Sequence, residues 1–196
     1  MTEQEVFILA DQALLRVVEQ IRDGQWSAVV PAEMTHGRPG STLREVVNYH
    51  AYDDSWVPDT LAGRTIDEVG DAHDGDLLGD DPKASFAGIV ATACSAVRDF
   101  TDLDRIVHLT YGDWTAREYL THITYFRASR VYDLARFLGG DATLPADLVQ
   151  GLLEELEPRA EQWREFHVIG EPVEVPADAS PQDRWLAQTG RNPAAA

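Results

Sequence analysis

The chain has 196 residues, of which 44% are hydrophobic, and it carries a formal net charge of −18. The length suits one domain, and the composition excludes a disordered or fibrous chain. The acidic charge argues against a nucleic acid or an anionic membrane as partner, because both are bound by clustered Lys and Arg. No apolar run approaches the roughly 20 residues that cross a bilayer, and no secretory signal is visible, so we expect a cytoplasmic protein.

Four long amphipathic helices dominate the predicted structure. Apolar periodicity places them at residues 3–22, 42–61, 81–100 and 115–138. Thr42 with Glu45, and Thr115 with Glu118, have the spacing of capping boxes, which start helices. Pro82 is suited to the first turn of the third helix. The chain is therefore predicted to be all-α.

The remaining segments connect or extend these helices. They are predicted as loops at 25–41 and 64–81, extended segments at 104–113 and 168–179, a fifth helix at 145–167 that Pro158 interrupts, and a short last helix at 181–187. The expected architecture is a four-helix bundle, residues 1–167, with a short C-terminal helical extension, residues 168–196, packed on it.

The second predicted helix carries a histidine on its apolar face. This stripe consists of Leu43, Val46, Val47, His50, Val57 and Leu61. His50 is therefore predicted to point into the bundle, and Asp54 follows one turn later on the same face. A buried carboxylate is unfavourable unless it is paired or bound to a metal. His50 and Asp54 are candidates either for one edge of a metal site or for an imidazole oriented by a carboxylate.

The fourth predicted helix offers partners for His50. One line of this helix consists of Glu118, His122, Phe126 and Arg130, with Tyr119 beside it. If the second and fourth helices face each other, His50 and His122 can approach within the bundle. A divalent metal can then take both histidines and a carboxylate, and keep one position open for substrate.

Simpler roles for the same residues remain open. A core-facing histidine is more often hydrogen bonded than metal bound. Glu118 already has a function as the acid of a capping box. Asp54 can pair with Arg130, and Arg130 with Asp133 along its own helix.

The other histidines and the single cysteine are assigned from their surroundings. Cys94 lies among small apolar residues, which predicts a buried, inert thiol. His36 and His73 lie in predicted loops and are expected to be exposed, as is His167. His108 shortly precedes the fourth helix and is a candidate to line the same cavity. The sequence contains no phosphate loop and no nucleophile elbow.

Three stretches carry a family resemblance. They are Leu43-Arg-Glu-Val-Val-Asn-Tyr-His50, Arg130-Val-Tyr-Asp-Leu-Ala-Arg-Phe-Leu-Gly139, and Val175-Pro-Ala-Asp-Ala-Ser-Pro-Gln-Asp-Arg-Trp-Leu-Ala-Gln-Thr-Gly-Arg-Asn-Pro193. Together they resemble the actinobacterial DinB-like metal-binding proteins related to mycothiol-dependent maleylpyruvate isomerase. The similarity extends over nearly the whole chain, and the third stretch is the most specific.

The resemblance implies a DinB-like four-helix bundle that holds a metal, usually zinc. In the family one ligand is a histidine on the second helix, and a Glu-x-x-x-His pair on the later helix supplies the others. The metal would bind the thiol of mycothiol as the nucleophilic thiolate. His50 matches the first ligand position.

The later helix departs from the family pattern. The positions of the Glu-x-x-x-His pair, counted back from Asp133, are Phe126 and Arg130. Phenylalanine has no lone pair, and arginine stays protonated, so neither side chain binds a metal. Either the metal site is lost, with Arg130 replacing its positive charge, or it has moved along the helix to Glu118 and His122, which keep the Glu-x-x-x-His spacing.

Two functions are therefore expected as alternatives. The first is a metal-dependent enzyme that uses a mycothiol-type thiol in thiol transfer or isomerisation, with zinc on His50, His122 and either Asp54 or Glu118. The second is a metal-free protein without a cofactor that binds a small anionic ligand or a protein partner. Its expected ligand-binding residues are Arg130, Tyr119, Phe126 and His108. A homodimer is compatible with both functions.

Overall fold

The computed structural model describes residues 1–35 and 37–194, so the prediction for His36 lies outside the described residues. The described part of the chain is predominantly helical, with one antiparallel pair of strands. The elements are α1 Glu3–Glu19, α2 Leu43–Leu61, α3 Ile66–Val69, α4 Pro82–Asp99, β1 Ile106–Leu109, β2 Gly112–Thr115, α5 Ala116–Phe137, α6 Ala146–Leu156, α7 Ala160–Glu165 and α8 Pro181–Gln188. None of the described helices combines the length and apolarity that crossing a membrane requires. The predicted helical class is confirmed.

Side-chain caps explain where the helices begin. Capping boxes open α1, α2, α3 and α5 through the pairs Thr2–Glu5, Thr42–Glu45, Thr65–Glu68 and Thr115–Glu118. Each threonine hydroxyl accepts a backbone N–H of the first turn, and each glutamate accepts the threonine N–H. Asp81 caps α4 by accepting the Ala84 N–H, and Pro82 occupies the first turn. The two boxes predicted from the sequence are confirmed.

Three segments differ from the prediction. The first helix ends at Glu19 rather than at residue 22, although Ile21 is still fully buried. The loop predicted at 64–81 contains the short helix α3, because Thr65 and Glu68 form a capping box there. The extended segment predicted at 104–113 is part of a hairpin, in which Val107 pairs with Trp114. The predicted break at Pro158 is confirmed, since it falls between α6 and α7.

The four long helices pack around the core, and the α2–α5 side differs from the others. The α1 helix packs against α4 and α5, and α2 packs against α4. The remaining pair, α2 and α5, runs antiparallel and is joined by long polar side chains, since His50 meets Arg130 while Asp54 meets Arg127. Because these long side chains lie between α2 and α5, there is room for a cavity on this side of the bundle.

The C-terminal segment returns to the bundle. The α8 helix packs on α6, which packs on α1, and Trp185 of α8 is fully buried. Residues 170 and 190 cross closely, because a Cβ atom added at Gly190 would lie 2.7 Å from the Gly170 Cα atom. Gly190 also has a φ of +86°, which side chains disfavour. The crossing aims Arg191 back towards α5.

Candidate functional site

A cavity of about 1060 Å³ lies between α2, α5, the hairpin and α7. Aromatic side chains form a large part of its wall. They are Tyr49, Tyr52, Trp56, Tyr111, Trp114, Tyr119, Tyr125, Phe126, Trp163 and Phe166. Small-molecule sites in proteins are typically apolar clefts of roughly 300–1,000 Å³ with a few polar groups. The cavity is therefore large enough for an organic molecule that contains a ring.

His50 points into the bundle, as predicted, and is fully buried. Its Nε2 atom accepts a hydrogen bond from Arg130 Nε at 3.2 Å. An accepting Nε2 has no proton, so the neutral ring carries its proton on Nδ1. The Phe126 ring packs beside the imidazole, with 5.4 Å between ring centroids. Burial and the nearby Arg191 lower the pKa of Arg130, although Asp133 opposes them.

The predicted metal ligands each contact a different partner. Glu118 accepts hydrogen bonds from the N–H and hydroxyl of Thr115 at 3.2 and 2.7 Å, as a helix cap does. His122 lies against the Trp114 ring, with 5.1 Å between centroids, and burial lowers its pKa. Asp54 is bonded to Arg127. In the part of the chain that the structure describes, no three His, Cys, Asp or Glu side chains group so as to hold a metal ion.

These contacts do not fit a metal held by His50 and His122. The Nε2 lone pair of His50 is engaged by Arg130, and a guanidinium at 3.2 Å repels a cation. Metal binding at His50 would require Arg130 to move away.

Asp54 belongs to an ionic cluster inside the bundle, and its partner is Arg127 rather than the predicted Arg130. Arg127 is fully buried and donates from Nε to Asp54 Oδ1 at 2.7 Å. Its Nε atom also lies 2.8 Å from Asp11 Oδ1, and its Nη1 atom lies 3.9 Å from Asp53 Oδ2. One guanidinium thus serves three carboxyl groups.

The cluster shifts the pKa values of its members. Burial raises the pKa of Asp11 well above its usual range and also raises that of Asp54, although Arg127 opposes both shifts. Burial raises the pKa of Asp53 to about 7. Cys94, buried as predicted, lies with Sγ 3.9 Å from Asp11, and burial raises the pKa of its thiol to about 12. The cysteine is therefore a poor nucleophile.

A second guanidinium reaches the cavity from the C-terminal segment. Arg191 donates from Nε and Nη2 to the Asp133 carboxylate at 3.3 and 3.2 Å, and from Nη1 to the Tyr125 hydroxyl at 3.4 Å. Asp133, which was predicted as a partner of Arg130, forms an ion pair with Arg191. Arg130, Asp133 and Arg191 all line the cavity.

All four residues predicted to bind a ligand lie on the cavity wall, namely Arg130, Tyr119, Phe126 and His108. Their binding of a ligand stays a prediction. His108 also pairs with Asp113, with 2.8 Å between Nδ1 and Oδ1. His167 is exposed, as expected. His73 is not a freely exposed loop residue, because it is half-buried and its Nε2 atom lies 2.9 Å from an Asp59 carboxylate oxygen.

Four charged residues of this region were not predicted from the sequence, namely Asp11, Asp53, Arg127 and Arg191. Two of them had a signal. Asp11 interrupts the apolar stripe of α1 between Phe7 and Leu14, and Arg127 lies one turn from Ile123 on the buried side of α5. A charge on an apolar stripe indicates a buried partner of opposite sign.

No family model matches the chain, and no curated protein or solved structure matches it significantly. The DinB-like resemblance rests on the three sequence stretches alone.

Proposed function

We propose that the protein is a DinB-like bundle protein that binds a small anionic molecule in the cavity beside α2 and α5, with Arg130 as its anchor. The contact between Arg130 and His50 carries this proposal. Arg130 occupies a position where the resemblance expects a metal-binding histidine, and its side chain both holds His50 and lines the cavity. A guanidinium keeps its charge at all physiological pH values, and its N–H groups match carboxylate and phosphate oxygens.

The surroundings of Arg130 support the binding of an anion. Arg191 places a second guanidinium on the same wall, and Asp133 is the carboxylate that pairs with it. Two guanidinium groups against one carboxylate leave this end of the cavity with a net positive charge. The aromatic wall would bury the apolar part of the ligand. An aromatic carboxylate or sulfonate combines both features.

We expect Arg130→Gln to weaken binding of 4-ethylbenzoate by about 10-fold or more, because a hydrogen bond to a charged group contributes roughly 1.5–3 kcal/mol. Isothermal titration calorimetry at pH 8 measures the affinity, and circular dichroism shows whether the variant is folded. Arg98→Gln, at an exposed position of α4, is the matched control and should bind like the wild type. Equal affinities of the Arg130 variant and the wild type would contradict the proposal.

A thiol-dependent enzyme is the second candidate, and Asp53 favours it. A carboxyl group with a pKa of about 7 on the cavity wall is suited to accept the proton of a thiol at neutral pH. A metal on His50 and His122 would supply Lewis-acid activation of that thiol, but the contact of His50 with Arg130 does not fit this role.

Zinc addition separates the two candidates. After dialysis against a chelator, we expect added zinc to change the melting temperature of the wild type no more than that of a His50→Gln, His122→Gln variant. The reason is that Arg130 engages the His50 lone pair. Differential scanning fluorimetry with metal analysis measures both effects. One tightly held zinc per chain, with stabilisation that disappears in the double variant, would favour the metal-dependent enzyme instead.

A further inference from the structure

The cavity has a second charged side that the binding of an anion does not use. Asp53 lines this side and is joined through Arg127 to Asp11 and Asp54. Three carboxyl groups therefore share one guanidinium. Of the three, Asp53 is the one on the cavity wall. A carboxyl group that Arg127 does not fully neutralise therefore faces any ligand there. A cationic group beside Asp53 would supply the missing positive charge.

Aromatic side chains flank Asp53 along α2. Tyr49 and Tyr52 lie with their ring centroids 6.4 Å apart, and Tyr52 and Trp56 with theirs 6.1 Å apart. All three line the cavity. The faces of aromatic rings attract ammonium groups, most strongly where water is excluded. A carboxylate within an aromatic wall is suited to an ammonium ion.

The basic side also carries an unused polar group. Ser129 is 5% exposed and lines the cavity next to Arg130 in the sequence. Its hydroxyl has no hydrogen-bond partner within residues 1–35 and 37–194. A buried hydroxyl without a partner is unfavourable, and an anionic ligand could accept its hydrogen bond.

The two sides face the same cavity. Asp53 follows His50 by three residues on α2, a rise of about 4.5 Å. Arg130 contacts His50 directly. A ring-containing molecule with opposite charges on its two ends is the kind of ligand that could bridge Asp53 and Arg130 across this cavity.

We propose that the ligand of this cavity is a zwitterion whose anionic group binds Arg130 and whose ammonium group binds Asp53. This inference rests on the proposed function and adds a second recognition group to it. Asp53 is then the residue that selects zwitterions over simple anions. Arg127 is already shared by the buried Asp11 and Asp54 and lies 3.9 Å from Asp53, so the charge that attracts the ammonium ion is that of Asp53 itself.

Two probes of nearly equal shape test this selection. 4-(Aminomethyl)benzoate carries an ammonium group where 4-ethylbenzoate carries a methyl group. By calorimetry at pH 8, where Asp53 is ionised, we expect the wild type to bind the zwitterion at least 10-fold more tightly. Asp53→Asn should remove this preference and retain the affinity for 4-ethylbenzoate. Asp80→Asn, at an exposed position, should keep the wild-type preference.

The outcomes distinguish the two proposals. If both probes bind the wild type equally, the cavity binds anions and the zwitterion proposal is wrong. If Asp53→Asn still prefers the zwitterion, Asp53 is not the selecting residue and the proposal is again overturned. If neither probe binds at millimolar concentration, the proposed anion site itself fails. Loss of the preference in Asp53→Asn alone supports the proposal.

Discussion

Replacing Arg127 with methionine is expected to lower the free energy of unfolding by about 3–5 kcal/mol, the usual effect of removing one partner from a buried ionic contact. Methionine has a similar length, so the change removes the charge without opening a large space. Asp11 and Asp54 are at most 1% exposed and would lose their cation. Urea denaturation at pH 7 measures the loss.

The cause of this loss can be checked separately. Arg98→Met, at an exposed position of α4, should change stability by less than about 0.5 kcal/mol. Adding Asp11→Asn and Asp54→Asn to Arg127→Met should recover part of the stability, because the buried carboxylates are then gone. A loss below 1 kcal/mol for Arg127→Met would show that the cluster does not depend on its cation.

Asp53→Asn is expected to change how stability depends on pH. Burial raises the pKa of Asp53 from 3.8 to about 7. Between these values the folded protein holds a proton that the unfolded chain has lost, so wild-type stability decreases as pH rises through this interval. The interval corresponds to at most about 4 kcal/mol. The free energy of unfolding of Asp53→Asn minus that of the wild type should therefore be larger at pH 8 than at pH 4, by up to that amount.

Urea denaturation of both proteins at half-unit pH steps tests this expectation. The difference between the two proteins isolates Asp53 from the many other carboxyl groups of the chain. Asp80→Asn, which is exposed, should run parallel to the wild type. A parallel curve for Asp53→Asn as well would mean that Asp53 has an ordinary pKa, and that the buried cluster does not hold it in a desolvated position.

Local signals were sufficient for most of the helical structure. The boxes Thr42–Glu45 and Thr115–Glu118 act within four residues, so the sequence alone places the starts of α2 and α5. The periodicity of α2 likewise predicts that His50 is buried. The hairpin was predicted only as one extended segment, because Thr115, the last residue of its second strand, was assigned to the capping box that opens α5.

The candidate site depended on contacts that no local pattern contains. Arg127 and Asp54 are 73 residues apart, and nothing between them indicates which of two arginines on α5 binds the aspartate. Arg130 was the predicted partner, and it lies one turn too far along the antiparallel helix. The register of α2 against α5 decides this pairing, and that register follows from the packing of the whole bundle.

The position of Arg191 was not predictable from the sequence for a different reason. Its segment was predicted as an extension packed on the bundle, yet its contact with Asp133 requires the close crossing of Gly170 and Gly190. Gly170 and Gly190 are 20 residues apart and belong to no periodic pattern. Nothing in the sequence around either glycine indicates that the two backbone segments lie within van der Waals distance of each other.

The position of Arg191 also bears on when the cavity can form during synthesis. The ribosome makes residues 180–191 after all four long helices, and folding generally proceeds from the N-terminal side as the chain emerges. The bundle can therefore assemble while the basic wall of the cavity still lacks one of its guanidinium groups. We expect helical structure to precede binding competence, so a nascent chain would fold without the help of its ligand.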